Sequence, residues 1–470
     1  MITDLIARHW EILDALLAVV GLVVYVAASH SLNQRRHPSA AIGWVMGILL
    51  LPYLVLPLYL AFGTRKVVPT VRALPGVRNA LANASTHATA ERSQQLAQAM
   101  SLPEPVSYEC LSIHANGSES LAALGRLIDG AQRTLEVSTF LFGRDVLGQE
   151  IAGRLQQRAR DGVRVRLLID GVGIYMGGLP DLRGFRDAGV EVMRFVSPFR
   201  SPRRGRTNLR NHRKMAIADG RILWCGGRNL AAEYFEGDAS VLRARAPWID
   251  LSFEVCGGLA TQARQQFEQD WAFAGEMPPP ATGDEALPSA ASAGLAQLVP
   301  SGPDRVDDTI HTLLISACFT SHRRILAVTP YFVPDPALSS ALALAARRGV
   351  AVDLVLPVRS NHRLADYARH RALRELAAAG GRVWLHPEMV HAKAVVVDDE
   401  LAMAGSANLD ARSLFINYEM MVAFYDQNAV RGFAEWVEAR RIEATPYVVH
   451  RPGLLRELAE GLLLWLAFQL

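Results

Sequence analysis

Hydrophobic positions fall into three regimes along the chain. From about Ile12 to Ala28, and again from about Ala40 to Phe62, they run almost without a break, with LLAVVGLVVYVAA at the heart of the first stretch. Roughly 20 apolar residues in a helix cross a hydrocarbon core, so the two stretches predict a membrane-spanning helical hairpin. Pro52 and Pro57 are tolerable in such helices, and Trp10, Trp44, Tyr53 and Tyr59 suit its interfacial ends. After Arg65 the apolar face disappears, and Ala, Ser, Thr and Gln dominate to about Pro105. That region reads as a tether with one exposed helix around Glu91–Met100. Beyond it, short apolar runs of strand length alternate with helical stretches.

Those runs repeat. RTLEVSTFLF (Arg133–Phe142) leads through a helical stretch into RDGVRVRLLID (Arg160–Asp170). RRILAVTPYFV (Arg323–Val333) leads in the same way into RRGVAVDLVLP (Arg347–Pro357). Each is a strand–helix–strand unit of a buried parallel sheet. Each half then adds a strand-like pair, HRKMAIADGRILWCGGRN (His212–Asn229) and HAKAVVVDDELAMAGSAN (His391–Asn408). The predicted organisation is a hairpin at 1–63, a linker at 64–105 and a first α/β domain at 106–276. A flexible Pro/Ala/Ser linker at 277–296, a second α/β domain at 297–445 and an apolar or amphipathic tail at 446–470 complete it. Duplication of this kind predicts two similar domains facing each other as a pseudo-symmetric pair.

Composition adjusts the picture in three places. The formal net charge of +3 over 470 residues is small for a nucleic-acid binder of this size. Arg8, Arg65, Lys66, Arg72 and Arg78 on the outer flanks outnumber Arg35 and Arg36 in the connecting loop. That bias predicts catalytic domains facing the cytoplasm from a multi-pass anchor. The four cysteines, Cys110, Cys225, Cys256 and Cys318, form no CxxC pair and read as reduced thiols.

The candidate chemistry sits in the second strand pair of each half. His212-x-Lys214-x4-Asp219 is followed by Gly226-Gly227-x-Asn229, and His391-x-Lys393-x4-Asp398 by Gly405-Ser406-x-Asn408 at the same interval. Alternate residues of a strand share a face, so each His and its Lys point into one cavity. Histidine is the side chain that can be neutral as a nucleophile or protonated as an acid near neutral pH. Two of them across one phosphate divide those roles. Lys214 and Lys393 would neutralise the non-bridging oxygens, with Asn229, Asn408 and Ser406 donating hydrogen bonds to them. With these donors no metal and no cofactor is required.

The paired motif resembles the signature of the phospholipase D superfamily. GVEVMRF (Gly189–Phe195), LRNHRK (Leu209–Lys214), GGRNLAAEYF (Gly226–Phe235), TPYFVPD (Thr329–Asp335) and GSANLDARSLFINYE (Gly405–Glu419) resemble its bacterial cardiolipin synthase branch, of the type with two transmembrane helices. The resemblance implies His212, Lys214, Asp219, His391, Lys393 and Asp398 as the catalytic set, the two aspartates stabilising the motif's turn. It also implies a histidine-orienting acid after each motif, Asp250 in the first half and Glu419 in the second. Gly227 stands where many relatives carry Ser, so one donor is missing from the first half-site. The implied partners are phosphatidylglycerol and other anionic phospholipids, met by a membrane-embedded, multi-pass enzyme of a bacterial inner membrane. The implied reaction joins two phosphatidylglycerol molecules through a phosphatidyl-histidine. The basic segment Arg194–Lys214 reads either as a guide for anionic headgroups or as a solvated loop. The tail Leu454–Leu470 reads as an interfacial or a core-capping helix.

Overall fold

The computed structural model describes residues 2–31, 38–63, 88–178, 180–196, 206–235, 247–278, 293–450, 452–453 and 460. Much of the 64–105 and 277–296 linkers, the centre of the basic segment and nearly all of the tail therefore lie outside the described residues.

The β-branched runs of the two repeats form strands at the positions their patterning predicts. The first half contains β1 (Val106–Ile113), β2 (Thr134–Thr139), β3 (Arg164–Asp170), β4 (Glu191–Phe195), β5 (Met215–Ala218), β6 (Ile222–Gly226) and β7 (Ser252–Gly257). The second contains β8 (Gly294–Ser301), β9 (Arg324–Val328), β10 (Ala351–Pro357), β11 (Arg382–His386), β12 (Ala394–Val397), β13 (Leu401–Gly405) and β14 (Glu419–Phe424). Reading outward from the middle, the first half runs β1-β7-β6-β5-β2-β3-β4 and the second β8-β14-β13-β12-β9-β10-β11. β2 and β3 pair in parallel, as do β9 and β10, as the strand–helix–strand reading requires. The halves do not build separate sheets. β1 pairs antiparallel with β8, Val106 opposite Ala296, and fuses them into one 15-stranded sheet whose outermost strand is Thr445–Pro446.

Helices cover both faces. α1 (Ile2–Ser31), α2 (Pro38–Leu50) and α3 (Pro52–Phe62) precede the sheet, and α4 (Ala88–Ala99) leads to it. The first half then supplies α5 (Gly117–Gly130), α6 (Val146–Arg160) and α7 (Gly258–Ala274), and the second α8 (Thr309–Thr320), α9 (Pro336–Arg347), α10 (Arg363–Ala378) and α11 (Gln427–Ile442). α4 is not a free helix on a tether. Its Ala97, with Met100 just beyond it, joins the core of the second half, and Thr89 N–H donates to Glu400. At the fusion, Phe253 of β7, Phe424 of β14 and Phe433 of α11 are fully buried, with ring centroids 4.9–5.6 Å apart.

Two expectations are corrected. Among the described residues no helix is long and apolar enough to cross a membrane. The second apolar stretch breaks at Leu51 and Pro52 into helices of 13 and 11 residues. At 1.5 Å per residue these reach about 20 and 17 Å, short of a core about 30 Å thick. α1 is longer but carries Asp4, Arg8, Glu11 and Asp14 in its first half. Tyr59, expected at a lipid interface, is instead 4 % exposed, packed against Tyr25 and Trp44. The transmembrane hairpin, the two-span subtype, the membrane-embedded enzyme and the multi-pass inner-membrane placement are all withdrawn on this finding. The thiol reading also changes. Cys110 and Cys256, directly opposite each other on β1 and β7, form a disulfide, while Cys225 and Cys318 are buried and free.

Because the aromatic cluster draws on both halves, Phe424→Ala should destabilise the whole sheet by about 3–5 kcal/mol. Urea unfolding should show one cooperative transition moved to lower denaturant. Two separated transitions, one of them unmoved, would contradict a shared core.

Candidate active site

Each motif is an extended segment feeding a four-residue buried strand, then a tight turn and a second strand. His212 and Lys214 immediately precede β5, and His391 and Lys393 precede β12. The motif aspartates occupy the far turn. Asp219 (φ 54°) and Asp398 (φ 53°) take the left-handed conformation that a short polar side chain tolerates. Asp219 accepts the backbone N–H groups of Gln132, Arg133 and Thr134 at 2.7–2.9 Å. Asp398 does the same for His322, Arg323 and Arg324. Burial opposes ionisation of Asp219, but the three N–H groups outweigh it and hold its carboxyl below the usual range. Both aspartates thus lock the motif hairpin to the neighbouring strand, away from the histidines.

Asn211 and Tyr418 form a bridge between the halves, and His212 N–H donates to Tyr418 O at 2.9 Å. Ile249 and Val390 form the matching bridge, and His391 N–H donates to Ile249 O. The residue after each of those carbonyls is the orienting acid. The acids therefore cross. Asp250, from the first half, meets His391 Nδ1 at 2.7 Å. Glu419, from the second, meets His212 Nδ1 at 3.3 Å. Both orienting acids, both histidines and both lysines are brought to this one junction, and each orienting acid serves the other half's histidine.

Burial and charge set the protonation states. Burial and then Lys393 push His391 down to about 4, against the pull of Asp250. Burial and Lys214 also lower His212, against Glu419. Burial brings Lys393 down to about 7 and Lys214 to about 8, although Asp250 and Glu419 favour both ammonium forms. Burial would raise the two acids, but Lys393 and His391 outweigh it at Asp250, and His212 and Lys214 at Glu419. The result favours two neutral imidazoles, each with its Nδ1 side turned to a carboxylate, beside two lysines whose burial eases loss of a proton.

A family described as "Cardiolipin synthase, PLD-like domain" matches residues 124–271 and 314–441, so one copy falls on each half. The chain belongs to this family. A second family, "Phospholipase D-nuclease N-terminal", matches residues 16–63. Cardiolipin synthase A of Pseudomonas putida strain W619 is 32 % identical over 438 residues, 90 % of this chain and 89 % of the relative. Cardiolipin synthase A of Pseudomonas aeruginosa strain LESB58 is 32 % identical over 445 residues, covering 91 % and 88 %. Phosphatidylserine synthase of Haemophilus influenzae Rd KW20 superposes with a TM-score of 0.60 over 80 % of this chain and 98 % of that one; at 14 % identity the likeness shows the fold alone. The protein is a phosphatidyltransferase of the phospholipase D superfamily, acting toward cardiolipin synthesis.

Within this cardiolipin synthase-like frame the two half-sites differ in detail. Ser406 Oγ donates to Glu419 Oε2 at 2.6 Å, so its hydroxyl braces the acid. The missing donor at Gly227 has a steric cause, since a Cβ there would lie 2.2 Å from Asp250 Oδ1. Glycine with aspartate and serine with glutamate are two ways of filling the same space. The preceding glycines, Gly226 and Gly405, admit a close backbone approach, a Cβ at either falling 2.2–2.3 Å from a carbonyl of the next strand. Asn229 Oδ1 accepts Leu141 N–H at 3.4 Å, and Asn408 Nδ2 donates to Ser413 Oγ at 3.2 Å. Sequence reasoning missed Asn417, whose Nδ2 lies 3.2 Å from both His212 Nδ1 and Glu419 Oε1. It also missed the aromatic walls, Phe140 against His212 and Tyr234 with Trp248 against His391. The INYE and WID runs that carry Asn417 and Trp248 offered the only signal, their nearness to the acids.

Gly227→Ser supplies the donor that the motif lacks, yet it should lower kcat by ~100-fold, because displacing Asp250 by about an ångström misaligns His391. Turnover beside the melting temperature checks this. Unchanged or faster turnover in the folded variant would show that Asp250 does not depend on that space.

Proposed function

We propose that the reaction transfers a phosphatidyl group from one phosphatidylglycerol to the terminal hydroxyl of a second, giving cardiolipin and glycerol through a phosphatidyl-histidine. The observation that supports this reading is the crossed pairing, in which each orienting acid meets Nδ1 of the other half's histidine; the Nε2 atoms are the ones proposed to share one phosphorus. His212 Nε2 attacks phosphorus. The negative charge of the bound phosphodiester draws a proton onto His391; the bond from phosphorus to the glycerol oxygen breaks, and the His391 imidazolium delivers its Nε2 proton to that oxygen. His391 then takes the proton from the hydroxyl of the second phosphatidylglycerol. That oxygen attacks phosphorus and releases His212. Assigning attack to His212 is supported by its side chain being 22 % exposed against 9 % for His391, the more open ring having room for a lipid adduct.

Lys214 and Lys393, with Asn229 and Asn408, are the proposed partners of the non-bridging oxygens. These fixed donors supply the charge stabilisation that a divalent ion supplies elsewhere. One phosphodiester replaces another, so no nucleotide is consumed. The names of the Pseudomonas relatives support the choice of product. A hydrolase would use the same residues with water as acceptor.

Purified full-length protein should be incubated with phosphatidylglycerol as sole lipid and excess chelator. Cardiolipin and glycerol should appear in equal amounts; phosphatidic acid with glycerol would establish hydrolysis instead. His391→Ala should accumulate slowly formed phosphatidyl-His212, whereas His212→Ala should form no adduct. Lipid trapped on His391 in the wild type would reverse the two roles.

A further inference from the structure

Both signature stretches of the first half carry an arginine where the second half carries alanine. Arg213 corresponds to Ala392 between His and Lys, and Arg228 to Ala407 before the asparagine. Arg213 is 0 % exposed. Taking a guanidinium out of water costs several kcal/mol, and Ala392 shows that the fold builds the same strand without it. A side chain with that cost and an alanine counterpart calls for a use beyond packing.

Its contacts point to one. Arg213 Nε donates to Glu419 O at 3.0 Å, and Nη2 donates to Ser301 O at 3.0 Å. Nη1 is paired with Asp270 of α7. The guanidinium lies 5.4 Å from the ring centre of Tyr418, whose carbonyl accepts His212 N–H. One planar fork therefore ties the first half's α7 to the end of β8 and the start of β14 in the second. A lysine could satisfy only part of that set. The residue whose backbone it grips, Glu419, carries the carboxylate beside His212 Nδ1.

We propose that Arg213 is a positioning residue for the phosphatidyl-transfer reaction, holding the Tyr418–Glu419 backbone so that the Glu419 carboxylate stays against His212. It touches no substrate and acts through Glu419. Gln266 braces the far side, its Nε2 3.0 Å from Asp270 Oδ1, and Arg305 Nη2 donates to Gln266 Oε1. The charged groups facing His212 are Lys214 on its own segment, Glu419 on β14 and Asp170 at the end of β3. Glu419 and Asp170 favour the imidazolium and Lys214 opposes it, so loosening Glu419 shifts the balance one way. The His212 titration moves to lower pH.

The proposal rests on His212 reacting, so its test includes an arm read without substrate. In full-length protein labelled at histidine Cε1, the His212 signal is identified by its loss in His212→Gln. Arg213→Lys should lower the His212 titration midpoint by about half a unit or more. On phosphatidylglycerol it should lower kcat by ~10-fold or more with KM nearly unchanged, as loss of transition-state alignment does. In a Glu419→Gln background the same substitution should change neither quantity, because the path through the carboxylate is already cut. A folded Arg213→Lys protein with an unmoved midpoint overturns the proposal, as do losses that multiply in the double variant. Should Arg213→Lys fail to fold, Asp270→Asn keeps Arg213 and an acceptor for it. It should give a smaller shift of the same sign, silent in Glu419→Gln. A shift that persists there overturns the proposal equally.

Discussion

Two lysines, each only 3 % exposed, stand at the seam of one continuous sheet. Ammonium groups so placed repel each other and lose their hydration, and the sheet tolerates them only because two ionised acids lie alongside. Asp250 and Glu419 balance Lys214 and Lys393 in number, and both are fully buried. A phosphodiester entering between the lysines brings one further negative charge. In the proposed mechanism that added charge favours a proton on one of the two imidazoles, which is how one histidine would act as acid while the other attacks.

The crossing of the acids explains why the chain is duplicated rather than merely doubled. Neither half holds an oriented histidine alone, since His212 depends on Tyr418 and Glu419 for its backbone and ring contacts, and His391 on Ile249 and Asp250. The β1–β8 pairing and the phenylalanine cluster around it set the distance at which these exchanges occur. Small departures from symmetry then become affordable. Glycine beside aspartate on one side and serine beside glutamate on the other reach the same end with different side chains, and Arg213 ties the halves without a counterpart.

Much of this was legible in the sequence because it is local. Strand runs, the repeat and the four-residue strand bodies MAIA and AVVV follow from spacing within a few residues, and the family resemblance implied the turn role of the two aspartates. The paired motif pointed to the histidines and lysines, and the acid expected after each motif lies against a histidine ring. What spacing could not show was which acid meets which ring, because Asp250 and His391 are 141 residues apart and only the sheet's order joins them. The Cys110–Cys256 pairing failed for the same reason, its register set by strands 146 residues apart. The membrane hairpin failed differently. Apolar content alone suggested two spans, whereas the backbone breaks at Leu51 and Pro52 and Tyr59 turns inward among aromatic neighbours.

A single phosphate site shared by both halves is the claim on which the rest stands. Tungstate, a tetrahedral oxyanion visible to X-rays at low occupancy, tests it through binding stoichiometry by calorimetry together with a structure of the complex. The expected result is one anion per chain, within hydrogen-bonding reach of both His212 and His391 and of both lysines. Two anions per chain, each held by one motif alone, would contradict it.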